Sequence, residues 1–155
     1  MSYRGEAIWL DGDMVVTTDI TQLFGREYRK AVRVVQHDYK TKHKRKFLGQ
    51  ENEDYPRKNW SSVIAWDCSH YGNRRLTPDY IEKATGEELH RFSWLRDEEI
   101  GILPLEWNWL SDEYGINGQA KVIHYTAGIP AFSECMNNPM ADKWHREFEL
   151  TTNAS

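Results

Sequence analysis

The sequence predicts an α/β protein, on three observations. Apolar, β-branched runs recur at 6–17, 30–36, 60–68 and 120–126, with the length of buried strands rather than of helices. Helix-start signals stand between or after them: Thr77 before Pro78, and Asn138 before Pro139. Each pairs a capping side chain with a proline whose fixed φ suits the first helical turn. No internal repeat or low-complexity segment breaks the alternation, and strands alternating with helices define the α/β class. The 155 residues are read as one domain, 1–155, long enough to enclose a core.

In chain order, 6–17 reads as a strand interrupted by Asp11-Gly12-Asp13. "TTDITQLF" follows as a short helix capped by Thr18 or Asp19. "KAVRVVQ" (30–36) is a second strand. Residues 37–59 form a polar stretch in which a basic cluster leads into an acidic one. Such a run is ordinarily a solvated surface, yet connections this long often carry function, here beside an anionic ligand or an anionic membrane surface. "WSSVIAWDC" (60–68) returns to strand character, and "LTPDYIEKATGEEL" (76–89) reads as a helix capped by Thr77. "FSWLRDEEIGILPLEWNWL" (92–110) holds a short acidic helix and then an extended segment around Pro104, along which Trp107 and Trp109 would alternate. "AKVIHYT" (120–126) is a strand ending at a histidine, and "NPMADKWHREF" (138–148) closes the chain as a helix.

Composition removes several functional classes. The net charge of −4 argues against a protein whose main task is gripping nucleic acid. Mean hydropathy is −0.78, and no apolar run approaches the roughly 20 residues that span a bilayer. The opening "MSYRGEA" lacks the apolar core of a signal peptide. Cys68 and Cys135, the two cysteines, show no metal spacing and read as reduced thiols. The expected location is the cytoplasm. Seven tryptophans and eight tyrosines suit a core, and such rings also stack on sugar faces.

Asp11 and Asp13 carry the chemistry. Residues two apart on an extended chain point to the same side, and carboxylates at the end of an apolar run are costly unless paired, hydrogen-bonded or metal-bound. A hard cation such as Mg²⁺ or Mn²⁺ takes oxygen ligands and completes its shell with substrate phosphates. Gly12 between them leaves room for a ligand near the backbone. The structural alternative is an Asp-Gly turn in a hairpin.

"AIWLDGDMVVTTDITQLF" (7–24) resembles the DXD segment of GT-A glycosyltransferases, above all family eight and its lipopolysaccharide-type relatives. Further segments resemble that family in order: "SSVIAWDC" (61–68), "LPLEWNWL" (103–110), "VIHYTAGIPAF" (122–132) and "DKWHREF" (142–148). Together they span roughly residues 5–148. The resemblance implies a partial GT-A mixed sheet with flanking helices, and a transferase moving sugar from a nucleotide-sugar donor to a glycan or lipopolysaccharide-type acceptor. It implies Asp11, Asp13 and His124 as ligands of Mn²⁺ or Mg²⁺, and Asp11, Gly12, Asp13 and Gly128 around the donor. It further places Asp97 and Glu98 at catalytic positions beside the donor sugar; a helix start rich in acids is their other reading. The expected partners are therefore small molecules and glycans, with peripheral membrane association allowed and no membrane-spanning segment.

Two departures stand out. The family's lysine beside the diphosphate is missing from "GIPAF", so another base, Arg74 or Arg75, would substitute. The family's nucleoside-binding βαβ region also has no counterpart before Asp11. Without it the aspartate strand would lie at a sheet edge, open to self-association, and the chain alone would transfer sugar poorly. Two other classes also remain. Asp11 and Asp13 suit a haloacid-dehalogenase-type phosphatase, as nucleophile and general acid/base, although its downstream acidic pair is not found. A non-catalytic remnant or binding module needs only the fold.

Overall fold

The structure, a computed structural model, describes residues 3–25, 29–46, 49 and 51–153. Seven strands run through them: β1 (Glu6–Leu10), β2 (Met14–Val16), β3 (Val32–Val34), β4 (Val63–Asp67), β5 (Ile100–Ile102), β6 (Trp109–Leu110) and β7 (Val122–His124). The α-helices are α1 (Pro78–Lys83), α2 (Gly86–His90), α3 (Ser111–Tyr114) and α4 (Ala141–Asn153). The chain is thus mixed α/β, and its contacts gather into two compact units, each with its own sheet.

The first unit is built on a four-stranded sheet of order β1-β4-β3-β5. β4 runs antiparallel to β1 and β3, while β3 and β5 are parallel. All three residues of β3 are buried, as befits an internal strand covered on both faces. Arg33 is tolerated there because its guanidinium donates to the Glu6 carboxylate, 3.2 Å away, and to the Leu23 carbonyl. Val32, Val34, Ile64, Phe92, Trp94 and Ile100 form the core, with Trp66 stacked on Trp94 at 6.1 Å. β1 is an edge strand, paired with β4 alone among the described residues, and Trp9 on it is 56% exposed.

Thr77 caps α1 as its sequence requires, accepting from Tyr80 N at 3.1 Å. The single helix expected over 76–89 is nevertheless two. Ala84 leaves helical geometry, and Thr85 and Glu88 close a reciprocal capping box that starts α2. A threonine three residues before a glutamate satisfies two orphan N–H groups and so favours a fresh start over continuation.

The second unit carries the order β2-β7-β6, with β7 antiparallel to β2 and parallel to β6. Val15, Ala120, Ile123, Tyr125 and Met140 form its core, with Trp109 and Trp144 against it. The expected strand over 6–17 is therefore divided between sheets. After β1, Asp11 N donates to Ser62 O at 3.0 Å; after Gly12, Asp13 O accepts from Tyr125 N at 3.1 Å. A hairpin is also excluded, since β1 and β2 pair with different strands. The alternation expected of Trp107 and Trp109 fails too, because 105–108 is a 3₁₀ turn. Trp107 is buried, and Trp109 donates from Nε1 to Gly115 O at 2.8 Å. α4 begins at Ala141 rather than at Pro139, because Asn138 first closes a turn, its Oδ1 accepting from Met140 N. No helix among the described residues is long and apolar enough to cross a membrane.

Candidate metal centre

His124 ends the central strand of the second sheet, in register with Met14 on one side and Leu110 on the other. Its imidazole is almost wholly buried, so both ring nitrogens need partners. Nδ1 lies 3.0 Å from Asn108 Oδ1. An amide oxygen only accepts, so Nδ1 bears the proton and Nε2 keeps its lone pair in the neutral ring. Asn108 is itself fully buried on the 3₁₀ turn before β6. Ser111, equally buried, fixes the same strand end by donating to His124 O at 3.1 Å.

Nε2 faces the Asp13 carboxylate, 3.3 Å from Oδ1. Two acceptors at that distance repel unless a cation lies between or beside them. A second proton on the ring gives an ion pair; a divalent ion gives shared ligation. Burial opposes ionisation of Asp13, but once the His124 ring carries its second proton, its hydrogen bond and charge outweigh that cost. Helped by its own backbone N–H and by Lys46, they hold the carboxyl below the ordinary carboxylate value.

Asp11 precedes the same turn, its Oδ1 accepting from Trp9 Nε1 at 3.2 Å. Asp11, Asp13 and His124 each bring one ligand atom within 4.8 Å of the other two. Ligands about 2.1 Å from one ion stand roughly 3–4 Å apart, so modest side-chain rotation would close the set. Two carboxylates and an imidazole with a fixed tautomer suit a borderline ion such as Mn²⁺ better than all-oxygen Mg²⁺. A Cβ added at Gly12 would meet nothing within 4 Å, so the backbone there is open to a ligand.

The other expected residues lie as follows. Asp97 and Glu98 belong to a 3₁₀ turn of the first unit. Asp97 pairs with Arg57 and is 88% exposed; it lines a cavity of about 500 Å³ with Lys30, Arg57 and Trp60. Glu98 pairs with Arg96 at 3.3 Å. Gly128, in the second unit, has φ 138° and donates to Tyr125 O at 3.0 Å, a conformation that favours glycine. Arg75 does not serve as a spare base. Its guanidinium holds the buried Glu99 carboxylate at 2.8 Å and donates to Trp94 O, because a buried carboxylate demands a charged partner. Asn108 and Ser111 were not read as functional from the sequence. The signal was a polar pair beside "WNWL", in a segment otherwise fit for a core.

The fold and site thus define a mixed α/β chain with an Asp-x-Asp-plus-histidine cluster. Protein CDI of Arabidopsis thaliana is 40% identical to it over 155 residues, covering 95% of this chain. The chain spans 59% of that relative's length. No family model matches the sequence, and no solved structure matches the chain.

Proposed function

We propose that this chain is the metal-binding and acceptor-side part of a metal-dependent GT-A glycosyltransferase, moving sugar from a nucleotide-sugar to a glycan or related acceptor. The observation that carries the reading is the meeting of Asp11 and Asp13 with His124, a residue more than a hundred positions away that the resemblance alone joins to them.

In this reading Asp11, Asp13 and His124 would hold Mn²⁺. Asn108 keeps the Nδ1 proton in place, leaving the Nε2 lone pair for the ion. When bound, the ion supplies Lewis-acid neutralisation of charge on the departing diphosphate. Gly12 admits the diphosphate close to the backbone.

The test is Mn²⁺-dependent release of sugar across a panel of nucleotide-sugars, with a generic aryl phosphate as comparator. The reading expects hydrolysis or transfer that needs Mn²⁺ and disappears in Asp13→Asn. Turnover of the aryl phosphate without nucleotide-sugar hydrolysis would instead favour the phosphatase class. Metal binding with no turnover of either would leave a binding module.

A further inference from the structure

The basic run at 40–46 is largely solvent-exposed, with 42–45 all exposed, yet it is held in place. It is fastened to the second unit by a buried carboxylate. Glu113, 3% exposed, accepts from Thr41 Oγ1 and from Lys42 N at 2.9 Å, and its carbonyl takes Lys42 Nζ at 2.6 Å. Asn52 donates to Thr41 Oγ1 and His43 O, and its N–H to Lys44 O at 3.0 Å. Arg45 bridges Glu51 through the backbone, and His43 Nε2 lies 3.0 Å from Asp112 O. The loop therefore consumes Lys42 as an anchor and presents the next cations at fixed positions.

Those cations, Arg45 and Lys46, line a cavity of about 580 Å³ with His43, Asp112, Ala127 and Asn138. Neither side chain forms an ion pair with another side chain among the described residues. Two acids also line it, and both are engaged: Asp112 accepts from Ala127 N at 3.2 Å and from Asn138 Nδ2 at 2.6 Å, and Glu134 accepts from Ser133 Oγ at 3.1 Å. The cavity also lies where ligands gather in such folds. β6 and β7 are parallel and end at Leu110 and His124, and Asp112 and Ala127 follow just beyond those carboxyl ends.

We propose that this cavity is a phosphate site, with Arg45 and Lys46 as its cationic contacts. On the transferase reading, on which this identification of the ligand rests, they hold the donor diphosphate and take over the part left open by the missing lysine in "GIPAF". The guanidinium supplies a planar pair of donors and the ammonium a point charge, a complementary set for adjacent phosphoryl groups.

The experiment uses the full chain and inorganic pyrophosphate as probe, by calorimetry with and without Mn²⁺. The variants are Arg45→Gln/Lys46→Gln and a charge-matched control, Lys83→Gln/Lys143→Gln. Loss of charge-assisted hydrogen bonds should weaken pyrophosphate binding by at least about 10-fold in the first double variant, with the control near wild type. Lys46→Arg, which keeps the charge, should bind close to wild type and guards against a folding artefact. Equal weakening in both double variants, no weakening in the first, or no pyrophosphate binding by wild type overturns the proposal. Mn²⁺ binding without pyrophosphate is read separately and should survive Arg45→Gln/Lys46→Gln. If Mn²⁺ fails to bind while pyrophosphate still depends on Arg45 and Lys46, the metal reading falls and the phosphate site stands.

Discussion

Replacing Asn108 by alanine separates a ligand-orienting network from ordinary packing. Asn108 and His124 are both buried, and a 3.0 Å hydrogen bond joins them. Asn108→Ala leaves the Nδ1–H of His124 without its acceptor, at a cost of about 1–3 kcal/mol for a buried donor. The ring then gains by moving its proton to Nε2, where Asp13 Oδ1 accepts it at 3.3 Å. That tautomer has no lone pair for a metal at Nε2. Loss of an outer partner to a ligating histidine typically lowers metal affinity about 10- to 100-fold, equivalent to roughly 1.4–2.7 kcal/mol. The assay is Mn²⁺ calorimetry beside urea unfolding, with Asn108→Asp as comparator because it keeps an acceptor oxygen. The expected result is both losses in Asn108→Ala and partial recovery of affinity in Asn108→Asp. A stability loss with unchanged Mn²⁺ affinity would leave Asn108 as packing alone, with no part in orienting the ligand.

Glu99 sets an acid limit on the first unit. The Arg75 guanidinium, with backbone and side-chain help from Arg96 and Tyr71, overcomes burial and lowers its carboxyl from 4.5 to about 2. A group whose pKa falls on folding stabilises above its unfolded pKa, so this contribution is intact above 4.5 and fades as pH falls towards 2. Its size is about 2–3 kcal/mol, reduced from the full shift because Arg75 is partly exposed; Glu99→Gln should flatten the stability curve in that window, read by urea unfolding at each pH. Thr85→Ala removes the α2 cap and should cost about 1 kcal/mol in the same assay; an unchanged midpoint would deny the capping box any weight. The open edge of β1 should pair with a second copy, seen as concentration-dependent mass in sedimentation equilibrium, and Trp9→Lys should disfavour it. A monomer at all concentrations would remove the edge as an association surface.

Legibility in the sequence followed locality. Thr77-Pro78 announced α1 because a cap and a fixed φ act within a single turn. The run 6–17 misled because apolar periodicity says nothing of which sheet each half joins; that depends on Ser62 O and Tyr125 N, distant in sequence. The Thr85–Glu88 box was readable but hidden inside a longer helical pattern. Asp11, Asp13 and His124 could be named together only through resemblance, since no spacing rule relates residues so far apart. Asn108 lay beyond reach for another reason: its role is the hydrogen bond it makes, and a lone asparagine carries no pattern. The basic run at 40–46 is solvent-exposed, as charge runs usually are; only its anchoring was hidden, because the carboxylate of Glu113 lies about 70 residues away in a different element.

On the proposed reading, one Mn²⁺ ion binds through the imidazole of His124 as well as through carboxylates. Pulsed electron paramagnetic resonance on the Mn²⁺-loaded chain reads this directly, because a coordinated nitrogen imprints a ¹⁴N coupling on the metal's spin. One such nitrogen is expected in the wild-type chain, absent in His124→Gln and unchanged in His43→Gln. Mn²⁺ bound with oxygen ligands alone, or a nitrogen signal that survives His124→Gln, would contradict it.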